Sequence, residues 1–207
     1  MPSEITFLIS GSIFGLSGLM PGPLLTLLVS ETLKHGIKEG IKVAIAPLLT
    51  DLPIVLVTIL ILKHISDVLP VLGVISLLGA AFLVYLAIES ISLKDTDVDT
   101  YNARPQSVKK GVITNFLNPS PYMFWFSIGA PTVVKAMDTG LTAATFFIIS
   151  FYTALVGSKV IVAVVTGRSR HFLKSRYYIY TIRLLGVVLL IFAILFIRNG
   201  LKYFGWI

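Results

Sequence analysis

The sequence predicts an all-α membrane protein in which six transmembrane helices form two inverted repeats of three helices each. Three observations predict it: six long apolar stretches, lysines and arginines concentrated in alternate loops, and a Pro-X-Pro break in the first helix of each repeat. Of the 207 residues, 56% are hydrophobic and only 13% are charged, and the mean hydropathy is +0.90. Soluble domains carry about 25% charged residues, so the chain is expected to lie in a bilayer.

Each apolar stretch reaches the roughly 17–25 residues that a helix needs to cross a bilayer. We place the six helices at 5–33, 41–62, 68–93, 111–134, 140–166 and 177–197. The first repeat then covers 1–93 and the second 107–207. Between them, 94–106 reads as a cytoplasmic connector because it is polar and contains several aspartates.

Lysine and arginine predict the orientation, since cytoplasmic loops hold the positive excess. Eleven lie in the first, third and fifth loops: Lys34, Lys38, Lys42, Lys94, Arg104, Lys109, Lys110, Arg168, Arg170, Lys174 and Arg176. The opposite side has four: Lys63, Lys135, Arg198 and Lys202. Both termini should therefore lie outside the cytoplasm, with the two repeats in opposite orientations. The net charge of +7 is explained by this topology, so we expect no nucleic-acid partner.

Two matching breaks interrupt the first helix of each repeat, at Pro21-Gly22-Pro23 and at Pro119-Ser120-Pro121. Proline lacks an N–H and clashes with the carbonyl four residues earlier. The carbonyls expected to lose their partners are those of Ser17, Leu19, Asn115 and Leu117. Irregular backbone at membrane depth is tolerated where it is buried in protein or lines a cavity. Paired breaks of this kind are typical of an inverted-repeat transporter with a site near the midplane.

Asp51 is the sharpest single candidate because it lies near the middle of the second helix, beside Thr50. A carboxylate there costs about 2.5–3.5 kcal/mol on insertion scales, so it should face the interior and have a partner. Lys159, in the fifth helix, would either pair with Asp51, neutralise a substrate carboxylate or extend to the interface. Arg183 has the same ambiguity, whereas Glu31 and Glu89 are expected at the membrane interface.

Aromatic and small residues give weaker signals. Tyr122 and Trp125 follow the second break and are expected to face the cavity. The first helix carries Gly11, Gly15 and Gly18, a small-residue face that allows close helix approach. This face also fits a homodimer, and the sequence leaves open whether it packs inside one chain or against a second copy.

No catalytic machinery is visible. The three histidines fall in predicted loops, which excludes an intramembrane metal pair or a serine–histidine dyad. An aspartic protease would need a second buried aspartate beside Asp51, and the predicted helices contain none. We therefore expect no enzyme, no cofactor and no bound metal. Transport needs only a site and two states.

Several motifs resemble one family: Pro21-Gly22-Pro23, a basic turn from Gly36 to Gly40, Asp51, the stretch 79–83 (Gly-Ala-Ala-Phe-Leu) and the stretch 115–119 (Asn-Phe-Leu-Asn-Pro). Together they resemble the LysE/RhtB family of amino-acid exporters over most of the chain. The resemblance implies a six-helix exporter in the plasma (inner) membrane, driven by an ion gradient. Many members have a lysine directly after Asn-Pro, where this chain has Ser120, and a glycine ahead of the aspartate, where it has 47–50 (Pro-Leu-Leu-Thr). These departures leave the substrate open.

The expected function is export of an amino acid or a similar small zwitterion. Half-helices restarting after Pro23 and Pro121 would offer positive dipole ends to a carboxylate, and Asp51 would suit an ammonium group. Proton coupling through Asp51 is a hypothesis. The alternatives are a divalent cation exporter, which would prefer several carboxylates or imidazoles, and a non-transporting scaffold. The predicted site comprises Pro21, Gly22, Pro23, Thr50, Asp51, Asn118, Pro119, Ser120, Pro121, Tyr122 and Lys159.

Overall fold

The computed structural model describes residues 4–62, 68–92, 105–169 and 176–206, and within these ranges every regular element is a helix. Most of the predicted connector at 94–106 lies outside the described residues, as do His64 and His171. The same holds for five of the basic residues behind the predicted orientation: Lys63, Lys94, Arg104, Arg170 and Lys174. The all-helical prediction is confirmed for the described part of the chain.

The first half contains five helices. They are α1 (Glu4–Leu16), α2 (Pro23–His35), α3 (Ile37–Ala44), α4 (Ala46–Leu62) and α5 (Val68–Ile91), with a 3₁₀ turn at Ser17–Leu19 between the first two. The predicted helix 41–62 is therefore divided at Ile45. Pro47 explains the division, because proline is tolerated in the first turn of a helix, where its missing N–H would have no partner.

The second half also contains five helices, one of them very short. They are α6 (Ser107–Phe116), α7 (Pro119–Phe124), α8 (Ala130–Thr139), α9 (Leu141–Ser169) and α10 (Arg176–Tyr203), with a π-helical turn at Trp125–Gly129 between α7 and α8. The fourth predicted helix, 111–134, is thus built from α6, α7 and the start of α8.

Three single helices in the described part of the chain are long and apolar enough to cross a bilayer: Leu69–Ile91, Leu141–Ser169 and Ile179–Tyr203. The pair α1–α2 is a fourth candidate, bent by 62° at the first break. Their outward faces are apolar, with Ile13, Leu78, Leu141 and Ile161 all more than half exposed, as a lipid-facing surface requires. The second and fourth predicted segments consist of shorter helices, so the count of six spans stays a prediction.

The two halves of the chain pack against each other through two pairs of helices, α1 with α9 and α5 with α10. α1 lies against α9, because Gly11 and Gly15 leave room for the carbonyl oxygens of Phe147 and Phe151. α5 lies against α10, where Gly200 packs on Leu77. The glycine face of α1 therefore packs inside the chain, which answers the question that the sequence left open.

A pair of identical substitutions tests this contact. Gly15→Ala is expected to destabilise the protein by about 1–3 kcal/mol, because its methyl group would collide with the Phe151 carbonyl oxygen. Gly157→Ala on α9 is the matched control, since a Cβ there meets nothing within 4 Å. Alanine's higher helix propensity should make it neutral or stabilising by about 0.5–1 kcal/mol. Thermal unfolding in detergent measures both, and equal effects at the two positions would contradict the close contact.

Candidate functional site

A cavity of about 440 Å³ lies where the two breaks meet. Pro21, Gly22 and Pro23 line it from one half of the chain. Asn118, Ser120 and Pro121 line it from the other half. Further polar residues in its lining are Ser17, Asp51, Asn115, Trp125, Lys159 and Asn199. The structure thus gathers most of the residues that the sequence singled out around one shared space.

The first break is an extended residue between a tight turn and a new helix. Gly22 has φ −167° and ψ 172°, and α2 begins at Pro23, where the missing N–H has no cost. The Thr26 hydroxyl donates to the Gly22 carbonyl at 3.0 Å. The expectation that the Ser17 carbonyl is free is wrong, because it accepts the Met20 N–H at 2.9 Å in the 3₁₀ turn.

The second break begins one residue before the prolines. Asn118 caps α7 by accepting the Ser120 N–H on its side-chain oxygen at 3.0 Å, and the helix starts at Pro119. The predicted restart after Pro121 is therefore wrong, because asparagine is a strong N-cap and proline fits the first helical position. The Asn115 carbonyl is not free either, since it accepts the Asn118 N–H at 3.2 Å.

Asp51 lies on α4 and is 4% exposed. Its Oδ2 accepts hydrogen bonds from Trp125 Nε1 at 3.3 Å and from the Tyr152 hydroxyl at 3.1 Å. Its Oδ1 accepts one from Asn115 Nδ2 at 3.4 Å. Donors from α6, the π-helical turn and α9 therefore hold the carboxylate in place, and Oδ1, with one hydrogen bond, retains capacity for a further donor.

Thr50 and Asn115 form a support behind this carboxylate. Asn115 Nδ2 donates to Thr50 Oγ1 at 2.6 Å, and the Thr50 hydroxyl donates to the Ala46 carbonyl at 3.1 Å. Thr50 is 1% exposed and does not line the cavity. We infer that it positions Asn115 and makes no direct contact with a ligand.

Lys159 lies on α9, is 4% exposed and lines the same cavity as Asp51. Its ammonium makes no hydrogen bond or salt bridge with any residue in the described ranges. A methyl group placed on Gly18 would lie 2.5 Å from Lys159 Nζ, so the ammonium sits directly beside the first break. A charged group removed from water normally has a partner. Asp51 attracts this ammonium electrostatically without forming a salt bridge to it, so the ammonium keeps its hydrogen-bond donors available toward the cavity.

Aromatic and aliphatic side chains form the rest of the cavity wall. Phe124 and Phe151 stack with ring centroids 5.1 Å apart and an interplanar angle of 7°. From α10, Phe192, Leu195 and Phe196 line the cavity, followed one turn later by Asn199. Neither this wall nor Tyr152 was predicted from the sequence. The π-helical turn at Trp125–Gly129 is a feature common at functional sites, but it is visible only in the structure.

Three predicted site residues lie outside the cavity lining. They are Thr50, Pro119 and Tyr122. Tyr122 was expected to face the cavity, but it is 4% exposed and its hydroxyl donates to the Phe116 carbonyl at 2.9 Å. Its ring packs against Phe116, with centroids 6.2 Å apart. Arg183 is exposed on α10 and is not part of the lining either.

A second group of charged residues lies apart from the cavity, on α2, α5 and α6. Lys110 Nζ contacts Glu31 Oε1 at 3.2 Å and Glu89 Oε1 at 2.6 Å. The Ser107 hydroxyl donates to Glu31 Oε2 at 2.6 Å. Lys34 Nζ contacts Glu89 Oε1 at 3.5 Å. The Glu31 side chain is only 1% exposed and that of Glu89 is 18% exposed, so protein largely encloses this charge cluster, and the position of its glutamates at the membrane interface stays a prediction.

Potential metal ligands do not cluster: among the described residues, no three side chains of the types His, Cys, Asp and Glu come together as a metal site. In the cavity itself, Asp51 is the one carboxylate among the lining residues. Divalent cations prefer several such ligands, so the cavity is better suited to an organic ion.

The fold and the cavity define a helical integral membrane protein with a polar cavity at two helix breaks. A family model, LysE type translocator, matches residues 16–200. The chain belongs to this family, which confirms the resemblance drawn from its motifs and makes it a membrane transporter of the exporter class. No curated protein and no solved structure matched the chain.

Proposed function

We propose that this translocator exports an α-amino acid, or a similar small zwitterion, across the plasma membrane. The observation that carries the proposal is that Asp51 and Lys159 lie on the wall of one cavity, where the Lys159 ammonium forms no hydrogen bond or salt bridge with any described residue. An α-amino acid brings one ammonium and one carboxylate, and these complement the two side chains. Both breaks line the same space, so a bound molecule contacts both halves of the chain.

Each charged end of the substrate has a defined receptor in this proposal. The ammonium group donates to Asp51 Oδ1, whose one hydrogen bond in the described structure, from Asn115, is long at 3.4 Å. The carboxylate accepts from Lys159 Nζ beside Gly18. Charge-assisted hydrogen bonds of this kind are about twice as strong as neutral ones, which offsets the loss of hydration on entering the cavity.

We further propose that the two halves are inverted repeats of three spans each, with both termini outside the cytoplasm. Exchanging the halves maps the contact of α1 with α9 onto the contact of α6 with α4, and the contact of α5 with α10 onto itself. This pairing supports a twofold relation. Rocking of one half against the other would then open the cavity to alternate sides.

Proton coupling through Asp51 is part of the proposal. In reconstituted vesicles, Asp51→Asn is expected to abolish amino-acid flux driven by a pH gradient, because an amide cannot carry a proton across. Exchange at saturating substrate without a gradient should persist at a reduced rate. Asp138→Asn on α8 is the control, since this aspartate is exposed and outside the cavity. Unchanged gradient-driven flux in Asp51→Asn would exclude the proton role.

Tracer efflux from vesicles tests the substrate class itself. We expect efflux of labelled amino acids and none of divalent cations such as Mn²⁺ or Cd²⁺. Export of a metal without any amino-acid flux would overturn the proposal in favour of a cation exporter. The cavity beside Asp51 also argues against a scaffold, in which the breaks would be closed by solid packing.

A further inference from the structure

We propose that the substrate's side chain is uncharged and largely hydrocarbon, so that the protein selects neutral, apolar amino acids. This inference rests on the proposed function, because it assigns the two charged residues of the cavity to the α-ammonium and the α-carboxylate. The substrate's side chain must then contact the cavity lining other than Asp51 and Lys159.

The charged side chains that line the cavity balance one another. Among the residues that line the cavity, Asp51 and Lys159 are the charged ones, and their charges are opposite. The backbone groups of one amino acid neutralise both. A lysine or arginine side chain would bring a further positive charge with no carboxylate left to meet it, and an aspartate or glutamate would bring an unmatched negative charge. An unpaired charge at membrane depth is strongly unfavourable, so charged side chains are selected against.

Much of the remaining cavity wall is hydrocarbon. Phe192, Leu195 and Phe196 lie on one face of α10, and Met20 and Leu24 face the same cavity from the first break and the start of α2. These side chains offer hydrocarbon and no hydrogen bonds. A substrate side chain with a polar tip would lose its water there without replacement, whereas a methylene chain would gain from burial.

Uncharged polar residues also line the cavity, and several of them already have hydrogen-bond partners. The side-chain oxygen of Asn118 already accepts the Ser120 N–H. Asn115 Nδ2 already donates to both Thr50 and Asp51. Asn199 lies about two turns beyond Phe192 on α10. The Asn115 side-chain N–H groups and the Asn118 side-chain oxygen therefore already have partners. Ser17, Ser120 and Asn199 also line the cavity, but most of the lining is apolar, so the hydrocarbon wall is the larger surface for the substrate's side chain.

A series of amino acids built on one carbon chain tests the proposal on the purified protein. Norleucine, 6-hydroxynorleucine and lysine share one carbon chain and differ only in whether it ends in a methyl group, a hydroxyl or an ammonium. Competition against labelled norleucine should rank them in that order, with lysine at least tenfold weaker than norleucine. Equal or tighter binding of lysine would overturn the charge argument, and tighter binding of hydroxynorleucine would overturn the hydrocarbon argument.

The same series separates this inference from the function on which it rests. If lysine competes best, the protein still binds amino acids, and only the selectivity is wrong. If no α-amino acid binds or is transported, the proposed function fails and the selectivity fails with it. Pentylamine and hexanoate, which are norleucine without its carboxylate or its ammonium, should each bind at least tenfold more weakly than norleucine.

A designed change of selectivity gives an independent test. Leu195→Glu places a carboxylate on the hydrocarbon wall, so the ratio of lysine to norleucine affinity should rise at least tenfold. Leu195→Gln has nearly the same shape without the charge and should leave that ratio within about threefold of the unaltered protein. An equal shift in both variants would mean that wall charge does not set selectivity. If Leu195→Glu does not fold, the competition series of norleucine, 6-hydroxynorleucine and lysine on the unaltered chain still decides the proposal.

Discussion

Replacing Lys159 with methionine is expected to weaken amino-acid binding by roughly 10- to 150-fold, the equivalent of about 1.5–3 kcal/mol for one hydrogen bond to a charged group. The ammonium forms no hydrogen bond or salt bridge with any described residue and lies beside the first break. Methionine keeps much of the length and packing of the lysine stem but cannot hold a carboxylate. Isothermal titration or scintillation proximity with the purified protein measures the loss.

The same variant should behave differently in a stability measurement. Because Lys159 is buried and forms no hydrogen bond or salt bridge in the described structure, its removal relieves the cost of burying the ammonium and loses only its attraction to Asp51, so the stability of the ligand-free protein should change little. Lys159→Arg keeps the charge and should keep part of the affinity. Lys135→Met, at an exposed position on α8, is the matched control. A Lys159→Met protein that binds normally but unfolds more easily would show a structural role in place of a binding role.

Replacing Lys110 with methionine is expected to cost about 3–5 kcal/mol of stability, the usual penalty for removing one member of a buried ion pair. Lys110 bridges two carboxylates, at 3.2 Å from Glu31 Oε1 and 2.6 Å from Glu89 Oε1. Without it, Glu31 keeps the Ser107 hydroxyl and a His35 contact at 3.9 Å. Lys34, at 3.5 Å from Glu89 Oε1, still attracts both carboxylates, but its single positive charge cannot neutralise two negative ones. Unfolding of the detergent-solubilised protein by heat or denaturant gives the difference.

Two comparisons show whether that cost arises from the unpaired charge. The double variant Glu31→Gln with Lys110→Met removes both members and should recover most of the loss, since paired removal is often neutral. Lys42→Met breaks the pair with Glu39, in which the lysine side chain is 46% exposed, and should change stability by less than about 1 kcal/mol. Additive destabilisation in the double variant would contradict the ion-pair explanation.

The sequence predicted the broken helices because the physics of proline is local. A missing N–H at Pro21, Pro23, Pro119 and Pro121 disturbs the helix wherever the chain folds. Asp51 was equally visible, since a carboxylate in an apolar stretch needs an interior position. What could not be predicted was how the freed carbonyls find new donors. That depends on turn geometry, and the Ser17 and Asn115 carbonyls are both satisfied by short turns.

Contacts between segments far apart in the chain also could not be predicted from the sequence. Tyr152 meets Asp51 across 101 residues of chain, and Lys110 meets Glu31 across 79. Nothing in the local pattern of either tyrosine or lysine marks such a partner. For the same reason the apolar wall from α10 looked like ordinary lipid-facing sequence, because leucine and phenylalanine suit a cavity and a bilayer equally well.

The packing of α1 on α9 has a consequence for how the protein is made. When α1 enters the membrane, the helix that fills its glycine face lies more than half the chain away and has yet to be synthesised. Gly11 and Gly15 must then face lipid or temporary partners while the intervening helices insert. α1 thus reaches the bilayer well before α9, yet it reaches its final position only after the fifth predicted span has joined it.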